Sequence, residues 1–179
     1  MAENDLRVLR TQRDIQAGFI KVLQTEPFEK VTINDICAAG MVGRSTFYHH
    51  YPDKYALLEE LVTTQAQHFD HLLDDRMTSV QKDQLLITVY TELTADAELI
   101  TSLLKIHVVT ADLSQRYRDS LKVHLDRLWP ELDLNVPREF LLDFYANSAL
   151  MAITWSLKNG DAEAIATFMN QLVKLLLER

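Results

Sequence analysis

The chain has 179 residues, of which 47% are hydrophobic and 25% are charged, and its net charge is −8. This composition is typical of a globular soluble protein. The single cysteine, Cys37, excludes an internal disulfide and a cysteine-rich zinc or iron–sulfur site. No run approaches the roughly 18 uncharged apolar residues of a membrane-spanning helix, and residues 1–10 lack the apolar core of a secretion signal. We therefore expect a cytoplasmic protein that contacts no membrane.

The negative charge is unevenly distributed along the chain. Residues 1–54 contain seven lysines and arginines and seven acidic residues, so the remaining 125 residues carry the whole −8. Such a balance disfavours non-specific binding of nucleic acid by the chain as a whole. Any contact with a polyanion is expected in the first third.

Helical periodicity runs through the whole chain. Only four glycines and four prolines occur, and most of them lie where one helical pattern ends and another begins, which predicts an all-α fold. The predicted helices cover residues 5–24, 33–39, 44–51, 54–75, 80–93, 97–107, 111–128, 137–158 and 162–177. Candidate N-caps are Thr32, Asp53, Ser79, Asp96, Thr110 and Asp161. Asn159 with Gly160 is a predicted C-terminal stop, and Lys122 with Asp126 has the spacing of a helical ion pair.

The predicted helix over 137–158 is apolar around its whole circumference, so it must be covered on two sides. One side can pack in the core of the monomer. The other side, together with the broad apolar face of the helix over 162–177, predicts an isologous four-helix interface with a second copy of the chain. A central core helix in a monomer is the alternative. The residues assigned to this interface are Phe140, Phe144, Met151, Trp155, Ile165, Phe168 and Leu172.

Residues 31–58 read VTINDICAAGMVGRSTFYHHYPDKYALL. A short capped helix, a four-residue turn and a second short helix indicate a helix-turn-helix, whose second helix enters the major groove of DNA while the first crosses the backbone. Arg44 suits a bidentate contact with guanine or a phosphate. The same helix carries three hydroxyls and two imidazoles that suit the DNA backbone. The apolar residues expected in the core of this segment are Ile36, Val42, Phe47 and Tyr51, and Tyr48 could also be a packed aromatic residue.

This segment resembles the DNA-binding region of the TetR family of bacterial one-component transcription regulators. The family signature ends in Thr, an apolar or aromatic residue, Tyr, a short aromatic stretch and a Lys that opens the fourth helix; here these are Thr46, Phe47, Tyr48, Tyr51 and Lys54. The match is ungapped from about Asp14 to Leu58, and RSTFYHHYPDKYALL is similar to a branch common in low-GC Gram-positive bacteria. Met41 stands where many members have the turn glycine, and Gly43 where a hydroxyl usually precedes the recognition arginine.

The resemblance implies a nine-helix protein with a DNA-binding head over 1–52 and a regulatory and dimerisation domain over 53–179, of which 53–75 form the connecting helix. It implies a homodimer on a palindromic double-stranded DNA operator, with recognition helices about 34–36 Å apart, and a small-molecule effector. Repression is the expected mode. By position, the residues implied to contact DNA are Thr32, Arg44, Ser45, Thr46, Tyr48, His49, His50 and Lys54.

An effector pocket is expected among the helices over 80–157, because ligand pockets combine apolar walls with a few polar tips. Candidate lining residues, each of which could instead be ordinary packing, are Tyr90, His107, Tyr117, His124, Trp129, Tyr145 and Trp155.

No GxSxG, HExxH, P-loop or dinucleotide-binding motif occurs, so neither catalysis nor a cofactor is expected. A His/Asp cluster over 68–75 is the only one that resembles metal ligands, and a solvated helix face explains it without a metal. The competing function is a helical protein with a degenerate head that binds a partner or ligand but not DNA.

Overall fold

The computed structural model describes residues 2–78, 82–128 and 136–177, and these residues contain nine α-helices and no β-strand. The predicted all-α fold is confirmed. The helices are α1 (Ala2–Leu23), α2 (Ile33–Ala39), α3 (Arg44–His50), α4 (Lys54–Thr78), α5 (Lys82–Ala95), α6 (Ala97–Leu103), α7 (Leu113–Leu128), α8 (Arg138–Asn159) and α9 (Ala162–Leu177).

Several predicted helix boundaries differ from those observed: α1 begins at Ala2, α4 ends at Thr78 and α5 ends at Ala95. Two further differences have a local cause. α6 stops at Leu103 instead of continuing to His107, because the next residues fold back into turns in which Ile106 N–H donates to the Leu103 carbonyl at 3.0 Å. α7 begins at Leu113 instead of residue 111, and its N-terminal N–H groups are capped by Asp112, whose Oδ1 accepts from Gln115 N–H at 2.9 Å. Asp112, and not Thr110, therefore performs the capping role. The start predicted at residue 80 and its cap Ser79 lie outside the described residues.

Several shorter-range predictions are confirmed. Asp53 Oδ1 accepts the N–H groups of Tyr55 and Ala56, each at 2.8 Å, and so caps α4. α8 ends at Asn159, and Gly160 follows with a left-handed φ of 84°, a conformation that glycine adopts without steric cost.

The predicted pairing of Lys122 with Asp126 is wrong. Lys122 pairs with Asp143, and Asp126 accepts from Arg138 at 2.7 Å, because α7 packs along α8 and offers partners from a neighbouring helix.

Contacts along the chain divide it into two compact units. Unit 1 consists of Met1–Thr63 and the turn Val108–Ala111, and unit 2 of Thr64–His107 and Asp112–Arg179. The division falls inside α4, and the predicted domain limit at residue 52 stays a prediction.

Unit 1 is held together by a close crossing of α1 and α2. A Cβ on Gly18 would lie 2.5 Å from the Gly40 nitrogen and 2.6 Å from the Ile36 carbonyl oxygen. A Cβ on Gly40 would lie 2.5 Å from the carbonyl oxygen of Asp14. Only glycine at both positions lets these two backbones touch. Met41, which follows, takes the left-handed φ of 53° at the turn and is almost fully exposed.

Unit 2 is organised around α8. The inner face of this helix is buried, and it includes Leu141, Tyr145, Ala149 and Ile153. Its opposite face carries exposed Phe140, Phe144, Met151 and Trp155. The predicted division of an all-round apolar helix into a core side and an outer side is therefore observed. Elsewhere in the unit, the buried rings of Phe69 and Tyr117 stack with centroids 4.0 Å apart.

Candidate nucleic-acid interface

Thr32 begins α2 through a reciprocal capping box. Asp35 N–H donates to Thr32 Oγ1 at 3.3 Å, while the Thr32 N–H and hydroxyl donate to Asp35 Oδ2 at 3.0 and 2.6 Å. These bonds from Thr32, the side-chain bond first, lower the pKa of the Asp35 carboxyl. The predicted cap is confirmed. The phosphate contact assigned to Thr32 stays a prediction, and the structure places its hydroxyl at the exposed start of α2.

α3 is a seven-residue helix anchored by one fully buried side chain, Phe47. It begins after Gly43, which supplies no side-chain cap. The edge of Tyr48 packs on Phe47 with centroids 5.7 Å apart, and the Arg44 guanidinium lies 6.0 Å from the Tyr48 ring centroid. Tyr48 remains 48% exposed, so it is not a buried packing residue.

The structure brings six of the eight predicted DNA-contacting residues together on α3. Because Phe47 faces the core, the other side chains of the helix surround its outer surface, and they are exposed or half-buried. They are Arg44, Ser45, Thr46, Tyr48, His49 and His50. One short helix therefore presents a guanidinium, two imidazoles and three hydroxyls, which are the donor groups that contact phosphates and base edges.

Tyr51 fixes the end of α3 against α1 and α4. Its buried hydroxyl donates to Glu60 Oε1 at 2.7 Å, and Gln16 Nε2 of α1 donates to the same oxygen at 3.3 Å. Burial and the bond to Glu60 raise the pKa of Tyr51 to about 12, so it stays a hydrogen-bond donor at all physiological pH values. Sequence reasoning missed Glu60 and Gln16, because both occur in ordinary helical patterns.

Lys54 is bound by backbone carbonyl groups. Its Nζ donates to the carbonyl oxygens of Phe28 and Val31, both at 2.8 Å, and of Glu29 at 3.2 Å. The ammonium also lies 4.6 Å from the centroid of the Phe28 ring, within cation–π range. Lys54 therefore ties the start of α4 to the loop that precedes α2. The DNA contact assigned to it stays a prediction.

Unit 2 contains a small apolar cavity of about 10 Å³, enough for at most one water molecule. Two of the predicted pocket residues, Tyr90 and Tyr145, line it. The other lining residues, which sequence reasoning missed because they read as ordinary apolar stripes, are Phe69, Leu73, Val89, Leu121, Ala149, Ile153 and Met169.

The remaining predicted pocket residues lie elsewhere. Tyr117 and His124 are buried in α7, and Tyr117 stacks behind the cavity residue Phe69. His107 is exposed and its Nδ1 lies 2.9 Å from Asp112 Oδ2, while Trp155 is exposed on the outer face of α8. Trp129 lies outside the described residues.

The residues predicted to form a subunit interface lie on α8 and α9. Phe140 and Phe144 stack on each other with centroids 6.2 Å apart. All but one of the seven are exposed, and Ile165 is half-buried.

In the part of the chain that the structure describes, no group of three His, Cys, Asp or Glu residues could hold a metal ion. No helix in that part has the length and hydropathy needed to cross a membrane.

Comparisons with known proteins agree with this geometry. Residues 18–61 match the family model described as "Bacterial regulatory proteins, tetR family". A 70-residue segment, 38% of this chain, is 37% identical to the uncharacterized HTH-type transcriptional regulator YxbF of Bacillus subtilis, but covers only 18% of that protein's length.

Solved structures match over nearly the whole chain. A TetR transcriptional regulator from Streptococcus agalactiae is 27% identical, with a TM-score of 0.67 over 96% of this chain and 98% of that one. A regulator described as TetR-family from Syntrophomonas wolfei is 18% identical, with a TM-score of 0.64 over 94% of this chain and 95% of that one, and shares the fold. The fold and the outward-facing α3 define a helix-turn-helix DNA-binding transcription regulator. The likeness to the tetR family model covers residues 18–61, the segment that contains α2, α3 and the start of α4.

We expect Lys54→Met to destabilise unit 1 by about 1–3 kcal/mol, because it removes a charged donor from three carbonyl groups while keeping most of the side-chain length. Hydrogen exchange of the amides over 28–58 measures the effect. Lys30→Met, which changes an exposed lysine in the same loop, is the matched control. Equal exchange rates in the two variants would contradict the structural role of Lys54.

Proposed function

We propose that this protein is a ligand-responsive transcription regulator in the cytoplasm, which binds a palindromic operator as a homodimer and represses transcription. The observation that carries the proposal is α3, which is anchored by buried Phe47 and presents Arg44, Tyr48 and their neighbours to solvent. The proposed function requires no catalysis, because it consists only of binding and releasing DNA and an effector. The competing function, partner or ligand binding through a degenerate head, predicts no sequence-preferring DNA complex.

The donor set on α3 supports specific rather than non-specific DNA binding. Unit 1 has no excess of positive charge, since it contains seven lysines and arginines against nine aspartates and glutamates, and log Kobs falls with log salt in proportion to the phosphates neutralised. Affinity must therefore come from well-placed uncharged donors and from a small number of cations. Arg44 is the one guanidinium on the helix, and it suits a bidentate contact with guanine.

The outer face of α8 and α9 supports a second copy of the chain as its occupant. Phe140, Phe144 and Met151 are 59%, 58% and 62% exposed, and Phe168 on the neighbouring α9 is 55% exposed. Single exposed apolar residues are normal, but a contiguous patch of large ones marks an interface. Two adjacent helices with such a patch can pair with their own symmetry copies as a four-helix interface. TetR regulators form dimers, which favours a copy of the chain over another partner.

The effector is expected to enter the core of unit 2 beside the small cavity. The Tyr117 hydroxyl is fully buried and has no hydrogen-bond partner among the described residues, and such an unsatisfied group costs about 1–3 kcal/mol. Burial, followed by the charges of Asp96 and Asp70, raises the pKa of Tyr117, so the hydroxyl is a donor in an environment that disfavours an anion. An apolar ligand with a neutral acceptor, such as an alcohol, ketone or phenol, would satisfy it.

Arg44→Ala should weaken operator binding by about 1–3 kcal/mol and relax the preference for bases. Tyr48→Phe should weaken binding by a similar factor for all operators, because it removes only a hydroxyl. Fluorescence anisotropy with an operator selected from random double-stranded DNA measures both. Lys21→Ala, which removes an exposed cation from the end of α1, controls for net charge. If Arg44→Ala and Tyr48→Phe both bind like the Lys21→Ala control, the roles assigned to α3 are wrong.

Phe144→Glu should convert the dimer to a monomer, because symmetry places the new carboxylate twice in an apolar interface. At about 2 kcal/mol for each copy, the dimer Kd rises about a thousandfold. Light scattering after size exclusion gives the solution mass. Val123→Glu on α7 is a matched control, since Val123 is also half-exposed but lies outside the face. A wild-type protein that is monomeric at micromolar concentration would end the dimer proposal.

Tyr117→Phe should leave the melting temperature of the free protein unchanged or raise it, because it removes a buried hydroxyl that lacks a partner. It should also reduce the melting-temperature increase produced by an effector. The probes are medium-chain alcohols, ketones and substituted phenols, with medium-chain carboxylates as the anionic comparison. Tyr55→Phe, on an exposed tyrosine of unit 1, is the control. A response to the carboxylates alone would contradict the neutral-acceptor assignment.

A further inference from the structure

A groove of about 420 Å³ runs between α1 and α3 within unit 1. The wall from α1 consists of Arg7, Val8 and Thr11, whose side chains follow one another along one side of the helix. The wall from α3 consists of Ser45, Thr46, His49 and His50. The sequence did not predict that α1 and α3 line a common groove, because the two groups of residues are separated by more than thirty positions.

The groove is lined by groups that suit an anion. It has one guanidinium, two imidazoles and three hydroxyls, and no carboxylate among its lining residues, in a chain whose net charge is −8. Within the side chains of unit 1 that the structure describes, none of the ion pairs involves Arg7. The Arg7 guanidinium is therefore available to an external partner. The Thr11 hydroxyl already donates to the Arg7 carbonyl at 2.9 Å, so the groups left to donate to an anion are the guanidinium, the imidazoles and the hydroxyls of Ser45 and Thr46.

α3 presents two different sets of side chains. Arg44 and Tyr48 lie against each other, and neither lines the groove. Ser45, Thr46 and His49 line the groove and face α1. A recognition helix in the major groove has a sugar–phosphate backbone on both sides, so the second set is placed to meet a phosphate while the first set reads bases or contacts the other strand.

We infer that the groove between α1 and α3 binds a backbone phosphodiester of the operator, with Arg7 as the contacting cation and the α3 hydroxyls and imidazoles as additional donors. This inference rests on the proposed function and extends the DNA interface to α1. The contact is with the backbone, so it adds affinity without adding sequence preference.

The experiment measures operator affinity by fluorescence anisotropy over a salt series from about 50 to 200 mM. Each phosphate contact contributes about −0.9 to the slope of log Kobs against log salt. For a dimer, Arg7→Ala should reduce the slope by about 1.8, so over this range the wild-type complex weakens about 12-fold more than the variant complex. Arg13→Ala removes an exposed arginine of the same helix that does not line the groove, and its slope should equal that of the wild type. Arg7→Lys should restore the wild-type slope.

The outcomes separate this inference from the proposed function. If the wild-type dimer forms no salt-sensitive operator complex, the proposed function fails. If the wild type binds but Arg7→Ala and Arg13→Ala have the same slope, only the α1 contact is wrong. If Arg7→Ala changes the ranking of operator sequences and keeps the wild-type slope, Arg7 reads bases and the phosphate assignment is overturned.

Discussion

The DNA-binding head depends on one contact between two backbones, the crossing of α1 and α2 at Gly18 and Gly40. A Cβ at either position would approach backbone atoms to about 2.5 Å, so no side chain fits without moving a helix. This crossing fixes α2 and therefore the turn that starts from its last residue. Because Gly40 is required for the crossing, the left-handed residue of the turn is Met41, at a cost of about 1–2 kcal/mol relative to a residue with no Cβ. Glycine would suit both the close crossing and the left-handed turn position. In this chain Gly40 lies at the crossing, and the turn position is occupied by Met41.

From that fixed turn, α3 is positioned by contacts on its inner side alone. Phe47 fills the core, and Tyr51 bonds to Glu60, which Gln16 also reaches from α1. The ammonium of Lys54 then holds the loop before α2 against the start of α4 through three carbonyl groups. None of these interactions uses a residue from the outer surface of α3. The outer surface is therefore available for recognition.

Sequence signals predicted several features whose partners are close along the chain. The capping box of Thr32 and Asp35, the cap at Asp53 and the stop at Gly160 each involve residues within three positions or a single backbone angle. Lys54 could not be understood in this way, because its partners are backbone carbonyls 23–26 residues away, and carbonyls leave no trace in a sequence. The pocket residues were difficult for another reason. On a helix that is apolar all round, Tyr145 at the cavity and Trp155 on the exposed face have similar sequence surroundings, and only packing distinguishes them.

The charge distribution limits how much of the DNA affinity can come from electrostatic attraction. With seven basic and nine acidic residues, unit 1 is expected to gain little from counterion release and therefore to bind DNA only weakly where no specific contacts form. Under the proposed function, the operator is distinguished by hydroxyls, imidazoles and a few guanidiniums whose hydrogen bonds require the correct geometry. In the proposed dimer these contacts would double and the two equilibrium constants would multiply, so the apolar face of α8 and α9 would contribute to DNA affinity as directly as α3. The proposed effector would then need only the roughly 1–3 kcal/mol typical of allosteric coupling to release DNA, because few ionic contacts hold the complex together.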